Sequence, residues 1–218
     1  MKEMNKKEIA YERVLFFSDA VVAIALTLLA LDLKLNVSAN QHIPVADLIA
    51  PRAKYLAFIL SFLNIAGFWR THHDFFIYIK KLDQKLMLVN TAWLFFIITL
   101  PFATSVISQH FGDSAAVFLY CANIFCISVC QNFIWDYSDL KGGFTDKKTM
   151  TYIEQSRIRW ALNIDMINGL IAIALSFFFP KLAFFLLFFK LSFFVFIPFF
   201  NMRMKKKNID PENGEIKE

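Results

Sequence analysis

The 218 residues are 57% hydrophobic, include 27 phenylalanines and have a mean hydropathy of +0.49. That is too apolar for a soluble domain of this size and marks an integral membrane protein. The net charge of +5 and pI of 9.1 follow from membrane topology, as set out below, and call for no nucleic acid as partner.

Six runs are long and apolar enough to cross a bilayer as helices of about 20 residues, at 14–35, 53–77, 86–108, 114–135, 160–179 and 181–201. The expected fold is therefore all-α and polytopic, with a six-helix transmembrane domain over residues 1–202. The basic flank and polar tail over 203–218 are expected to be disordered and cytoplasmic. The first run, RVLFFSDAVVAIALTLLALDLKL, is too long for a cleaved signal peptide and lacks a small-residue cleavage site, so it is expected to persist as a span. It nevertheless opens with Arg13, Ser18 and Asp19. Ionisable groups in or beside the hydrocarbon cost a few kcal/mol each, roughly 2.5 to 3.5 on insertion scales, and need partners.

At 100° per residue, Ala20, Ile24, Thr27, Leu28 and Leu31 share one stripe of the first helix, about 100° wide, and Ser18 and Asp19 point away from it. Two uses suit such a stripe: packing against a neighbouring helix or lipid, or lining a pore whose apolar constrictions gate by dewetting. The second run carries FWRTHHDFF at 68–76, at the depth of Ser18 and Asp19 if the chain alternates direction. Trp69, His72 and His73 share a face there, so an indole N–H and an imidazole can reach the Ser18 hydroxyl or the Asp19 carboxylate. Either histidine is able to do so. Asn90 and Trp93 open the third run at the same level. Gln131, Asn132 and Trp135 close the fourth there, and Arg157, Arg159, Asn163 and Asp165 open the fifth. Arg13, Ser18, Asp19, Trp69, His72, His73 and Asn90 are thus expected to form an interhelical polar network that fixes how the first helix sits. Phe179-Pro180-Lys181 reads as a tight turn between the fifth run and the sixth, which Lys190 interrupts.

Lys and Arg distribution sets orientation. With both termini cytoplasmic, the inner segments hold 17 basic residues, including Lys80, Lys81, Lys85, Lys141, Lys147 and Lys148. The outer segments hold only Lys34, Arg52, Lys54 and Lys181. A multi-pass protein of the cell membrane is expected.

Several chemistries lack their parts. No phosphate-binding G-x-x-x-x-G-K-[ST], no G-x-G-x-x-G and no G-x-S-x-G occurs, so no catalytic residues and no cofactor are expected. His72 and His73 are adjacent, about 100° apart on a helix, unlike the i, i+4 pair of a zinc helix. No protein-bound metal site is expected. Cys121, Cys126 and Cys130 read as small buried hydrophobes. The carbonyl filter sequence TVGYG is missing.

R-x-x-x-F-S-D at Arg13 to Asp19, continuing as A-V-x-A-I-x-x-T-L-x-x-L from Ala20 to Leu31, resembles the signature first helix of the transmembrane protein 175 family of potassium channels. F-W-x-x-H-H at Phe68 to His73 is similar to that family's second helix. The resemblance implies a homotetramer of six-helix subunits in the lipid bilayer, conducting potassium with modest preference over sodium. It also implies a pore lined by the first helices. Carried onto this sequence, Ile24 is the narrowest ring, Leu28 and Leu31 continue the constriction, and Thr27 contributes a ring of hydroxyls to selectivity. A competing function is proton-coupled secondary transport, with Asp19 and His72 or His73 as a titrating pair.

Overall fold

A computed structural model describes residues 6–34, 42–146 and 149–188 of the chain. Its elements in order are α1 (Lys6–Ala30), α2 (Val45–Ile49), α3 (Arg52–Phe76), α4 (Gln84–Gln109), α5 (Ser114–Leu140) and α6 (Tyr152–Ser176). A further helix, α7, begins at residue 180 and is described to residue 188. Most of the predicted sixth run, with Lys190, lies outside the described residues, as do Lys147, Lys148 and the tail over 203–218.

Four of these helices are long and apolar enough to cross a membrane: α1 from Ile9, α4, α5 and α6. The six-span expectation is therefore met in part. α3 has the length, ~37 Å at 1.5 Å per residue, but it is more polar and buries Ser61, Asn64, Thr71 and His72 along with its apolar side chains.

Local chemistry fixes the boundaries. Asp83 caps α4 by accepting from the Leu86 N–H at 2.8 Å, and Asp113 caps α5 by accepting from Ala115 and Ala116 at 2.9 and 3.0 Å. Between them Gly112 turns the chain at φ +91°, which a side chain rarely adopts. α6 starts at Tyr152, eight residues before the apolar run expected at 160. Thr151 and Glu154 form a capping box there: the Glu154 carboxylate accepts from the Thr151 N–H at 2.8 Å while the Thr151 hydroxyl accepts from the Glu154 N–H. α1 ends at Ala30, with Leu31 and Asp32 in a closing turn, where the run was expected to continue to 35. The turn after α6 falls at 177–179, and Pro180 is the first residue of α7 and not the middle of the turn. Proline suits that position because its missing N–H would have had no helical partner.

α5 is the centre of the bundle, packed on α4 along one side and α6 along the other. α3 lies on α4, and α1 packs chiefly against α3 and α4. Trp93, Trp135, Tyr120, Phe68 and Phe75 fill the core. The helices of such a bundle associate through close packing and interhelical hydrogen bonds, because lipid is as apolar as the side chains. Both devices are present. On α6, Asp165, Gly169, Ala172 and Ser176 make a buried seam, and a Cβ at Gly169 would stand 3.2 Å from the Phe125 Cα on α5. Ser61 on α3 joins Thr104 on α4 at 2.6 Å and Tyr120 on α5 at 3.0 Å. Gln131 donates to the Phe68 carbonyl at 2.7 Å, and Asn132 to that of Leu162 at 2.8 Å.

The two expected inner connections are tied together at one end of the bundle. Ile79 and Thr145 form an isolated antiparallel bridge, and Lys80 pairs with Asp146. Asp83 accepts from Tyr137 at 2.6 Å and from Lys141 at 2.7 Å. Burial opposes the charged form of Asp83, but hydrogen bonds from Lys141, Tyr137 and the Leu86 N–H outweigh it, and the carboxyl is held below its usual range. Nearby, Arg159 at the start of α6 pairs with Asp136 and, at 3.3 Å, with Asp139 on α5.

Candidate pore-lining helix and its polar anchor

α1 has two faces of opposite fate. Ser18, Val22, Ala25 and Leu29, at spacings of four, three and four, are 0 to 2% exposed and form the seam against the rest of the subunit. The stripe singled out in the sequence lies on the other side. Ile24 is 58% exposed, Leu28 42% and Leu31 62%, and Ala20 and Thr27 are exposed with them. Leu31 stands just past the last helical residue, where its N–H bonds the Leu28 carbonyl at 3.2 Å and tightens the final turn. Thr27 donates its hydroxyl proton to the Ile24 carbonyl at 2.8 Å, so its oxygen presents lone pairs and no proton to whatever faces it.

A directed chain of hydrogen bonds anchors the buried face. His72 Nε2 donates to Asn90 Oδ1 at 2.8 Å, Asn90 Nδ2 donates to Ser18 Oγ at 2.9 Å, and Ser18 Oγ donates to the Val14 carbonyl at 2.9 Å. The direction is self-consistent. An asparagine that donates through its nitrogen to Ser18 must accept through its oxygen, which sets the His72 tautomer with the proton on Nε2. The His72 ring is clamped between aromatic neighbours, stacked on Trp93 with centroids 4.2 Å apart and 4.3 Å from Phe76. Lower on α1, Tyr11 donates to the Phe76 carbonyl at 2.7 Å.

A second bond lies at the margin of this anchor. Trp69 Nε1 donates to Asp19 Oδ1 at 2.9 Å, with Trp69 39% exposed. The structure thus brings Ser18, Asp19, Trp69, His72 and Asn90 together, and it distributes their contacts differently from the expectation. Asp19 takes the indole, while the imidazole reaches α1 only through Asn90. Of the two histidines, His72 is buried in the network, and His73 is exposed, 5.8 Å from the Trp69 ring. Arg13 is exposed and has no hydrogen-bond or ion-pair partner among the described residues. The apolar seam Val22, Ala25 and Leu29 was not singled out in the sequence, although its helical spacing with Ser18 is a readable signal. The links made by Gln131 and by Tyr11 have no comparable local signature, because their acceptors are backbone carbonyls of other helices.

A model of the family described as endosomal/lysosomal potassium channel TMEM175 matches residues 13–101, which hold the whole of this anchor. The chain is 29% identical over 155 residues to a potassium channel of Streptomyces collinus, covering 69% of this chain and 75% of that one. The crystal structure of a lysosomal potassium-selective channel TMEM175 homolog from Chamaesiphon minutus shares the fold. Its TM-score is 0.69 at 25% identity, with 86% of this chain and 97% of that one covered. Over residues 13–101 the chain is similar to the TMEM175 family. With the endosomal/lysosomal proton channel TMEM175 of Bos taurus the identity is 36% over 146 residues, 62% of this chain but only 30% of that longer protein. TMEM175 proteins are membrane channels by the names these relatives carry. The match over 13–101 spans α1, α3 and the first part of α4. That region is where the anchor and the exposed stripe are found.

Proposed function

We propose that the chain is one subunit of a homotetrameric, potassium-conducting cation channel of the cell membrane. Four α1 helices line its pore, and Ile24, Leu28 and Leu31 form a dry constriction. The observation that carries this reading is the division of α1: one face is bonded and packed into the subunit through Ser18, Val22, Ala25 and Leu29, and a branched apolar stripe is left exposed opposite. Each subunit would supply that stripe to a shared axis, since an interface around a rotation axis uses the same patch of every copy. A six-span subunit would use α3 and the helix begun by α7 as its remaining spans, and the distribution of Lys and Arg favours both termini being cytoplasmic.

The mechanism follows from the side chains. A ring of Ile24 side chains offers no partner to a hydrated ion, so conduction requires the helices to move apart enough to wet or widen the neck. K⁺ gives up its hydration shell at lower cost than Na⁺, so a partly dehydrating neck favours K⁺ modestly. Thr27, one turn away, suits a cation: its proton is committed to the Ile24 carbonyl, and its lone pairs replace part of the lost water. The bonds through Asn90 and Trp69 hold each α1 at the rotation that keeps Ile24 on the axis. Transport by a titrating Asp19–histidine pair is less well supported, because Asp19 is bonded to Trp69 and His72 to Asn90. The test is the reversal potential of the purified protein in planar bilayers with K⁺ on one side and Na⁺ on the other. Stepwise current reversing toward the K⁺ equilibrium potential is expected. Silent bilayers with pH-driven solute uptake into liposomes would favour the transporter.

A further inference from the structure

The edge where the start of α4 meets the end of α5 carries surplus positive charge in an ordered setting. Lys85, in the first turn of α4, is exposed and has no carboxylate partner among the described residues. Its ammonium stands 4.9 Å from the centroid of the Tyr137 ring and 5.4 Å from that of Phe133, two rings stacked within 8° of parallel. Lys141 lies 5.0 Å over the same Tyr137 ring and 4.7 Å over Phe144. The Lys81 ammonium rests on the Gly143 turn, 3.5 Å from where a Cβ would be. The acids of this edge are already engaged: Asp83 accepts from Lys141, Tyr137 and the Leu86 N–H, and Asp146 is paired with Lys80. Lys81 and Lys85 therefore remain as uncompensated cations. The rings hold the Lys85 ammonium by cation–π attraction without neutralising it.

Within one turn of Lys85 the exposed surface becomes apolar. Leu88 and Phe95 face outward on α4, and Val129 and Phe133 do so on α5. On helices that cross a bilayer, an abrupt change from an apolar lane to lysines with long stems marks the depth of the lipid phosphates. We propose that Lys81 and Lys85 bind the phosphate headgroup of an anionic phospholipid, whose acyl chain lies along Phe133 and Val129. Charge complementarity selects an anion, and the apolar lane running along the helices from the cations selects a lipid over a soluble phosphate. This inference rests on the membrane-spanning part of the proposed function and not on conduction.

Native mass spectrometry of the detergent-solubilised protein, titrated with phosphatidylglycerol or phosphatidylcholine, tests it without any current being recorded. Wild type is expected to retain phosphatidylglycerol in preference. Lys85→Gln should weaken that retention about five-fold, the change that ~1 kcal/mol per lysine at an anionic surface produces. Lys81→Gln in addition should weaken it further, and Lys85→Arg should restore it. Lys54→Gln, in the first turn of α3 at the opposite end of the bundle, should behave as wild type. Equal retention of phosphatidylglycerol by wild type and the Lys81→Gln/Lys85→Gln protein would overturn the proposal. A loss as large for Lys54→Gln, or an equal loss of phosphatidylcholine, would do so as well.

Discussion

Replacing Asn90 by leucine removes a side chain that ties His72 on α3 to Ser18 on α1 through both of its polar atoms. The substitution keeps the side chain's bulk near constant, so the loss is mainly of two hydrogen bonds, the 2.8 Å bond from His72 and the 2.9 Å bond to Ser18. Interhelical bonds in membrane proteins average about 0.6 kcal/mol and reach about 1.7, so the pair is worth ~1 to 3 kcal/mol. Ser18→Ala removes the second bond alone. In a double-mutant cycle, Ser18→Ala and Asn90→Leu should therefore couple by ~0.6 to 1.7 kcal/mol, whereas Asn90→Leu with Ser61→Ala, in the separate Thr104–Tyr120 cluster, should be additive. The assay is equilibrium unfolding of the detergent-solubilised protein followed by tryptophan fluorescence. Trp93 stacks on His72, so its emission reports on this layer. Additivity of Ser18→Ala with Asn90→Leu would refute the view that Asn90 acts as the link, even if each variant alone were destabilised.

Two further expectations concern other parts of the bundle. Gly169→Ala places a methyl group 3.2 Å from the Phe125 Cα and 3.3 Å from its Cβ. Backbone cannot yield as a flexible side chain would, so α5 and α6 should separate and stability fall by ~1 to 3 kcal/mol; an unchanged thermal midpoint would show that the helices have slack there. Asp83 has its folded pKa lowered, so the stability it contributes is fully present above the unfolded carboxylate value of about 3.9 and is lost as pH falls through the folded value. The difference in thermal midpoint between wild type and Asp83→Asn should be constant from about pH 8 to 5 and shrink below about pH 4, and a difference that grows on acidification would have the wrong sign.

The sequence carried the anchor's composition better than its wiring. The helical period separated the Ile24 stripe from Ser18 by more than a third of a turn, and the fold keeps that separation. Which of the two faces turns inward depends on the packing of α3 and α4, to which the period of α1 is blind. His72 and His73 differ by one step of helical rotation, and only the burial of α3 assigns the network to His72. Asn90 was recognisable as a polar residue at the right depth. Its place between Ser18 and His72 needs the mutual rotation of three helices. The start of α6 was placed eight residues late because an apolar window discards Gln155, Arg157 and Arg159. These are helical residues, and Gln155 and Arg159 bond Asp136 and Asp139 across to α5. α3 shows the converse: 53–77 reads as an apolar span in the sequence, whereas the helix buries polar residues and is more polar than the four apolar spans.

Block of current by Cd²⁺ through an Ile24→Cys channel, made in a background with Cys121, Cys126 and Cys130 replaced by alanine, tests most directly whether the exposed stripe of α1 faces the conduction path. Four thiols converging on one axis form a soft-metal site, so micromolar Cd²⁺ should abolish the current and a chelator should restore it. An Ala25→Cys channel, with its thiol on the buried seam, should conduct unchanged. Full current through Ile24→Cys in saturating Cd²⁺, from protein confirmed as a tetramer, would place Ile24 away from the pore and contradict the arrangement proposed for α1.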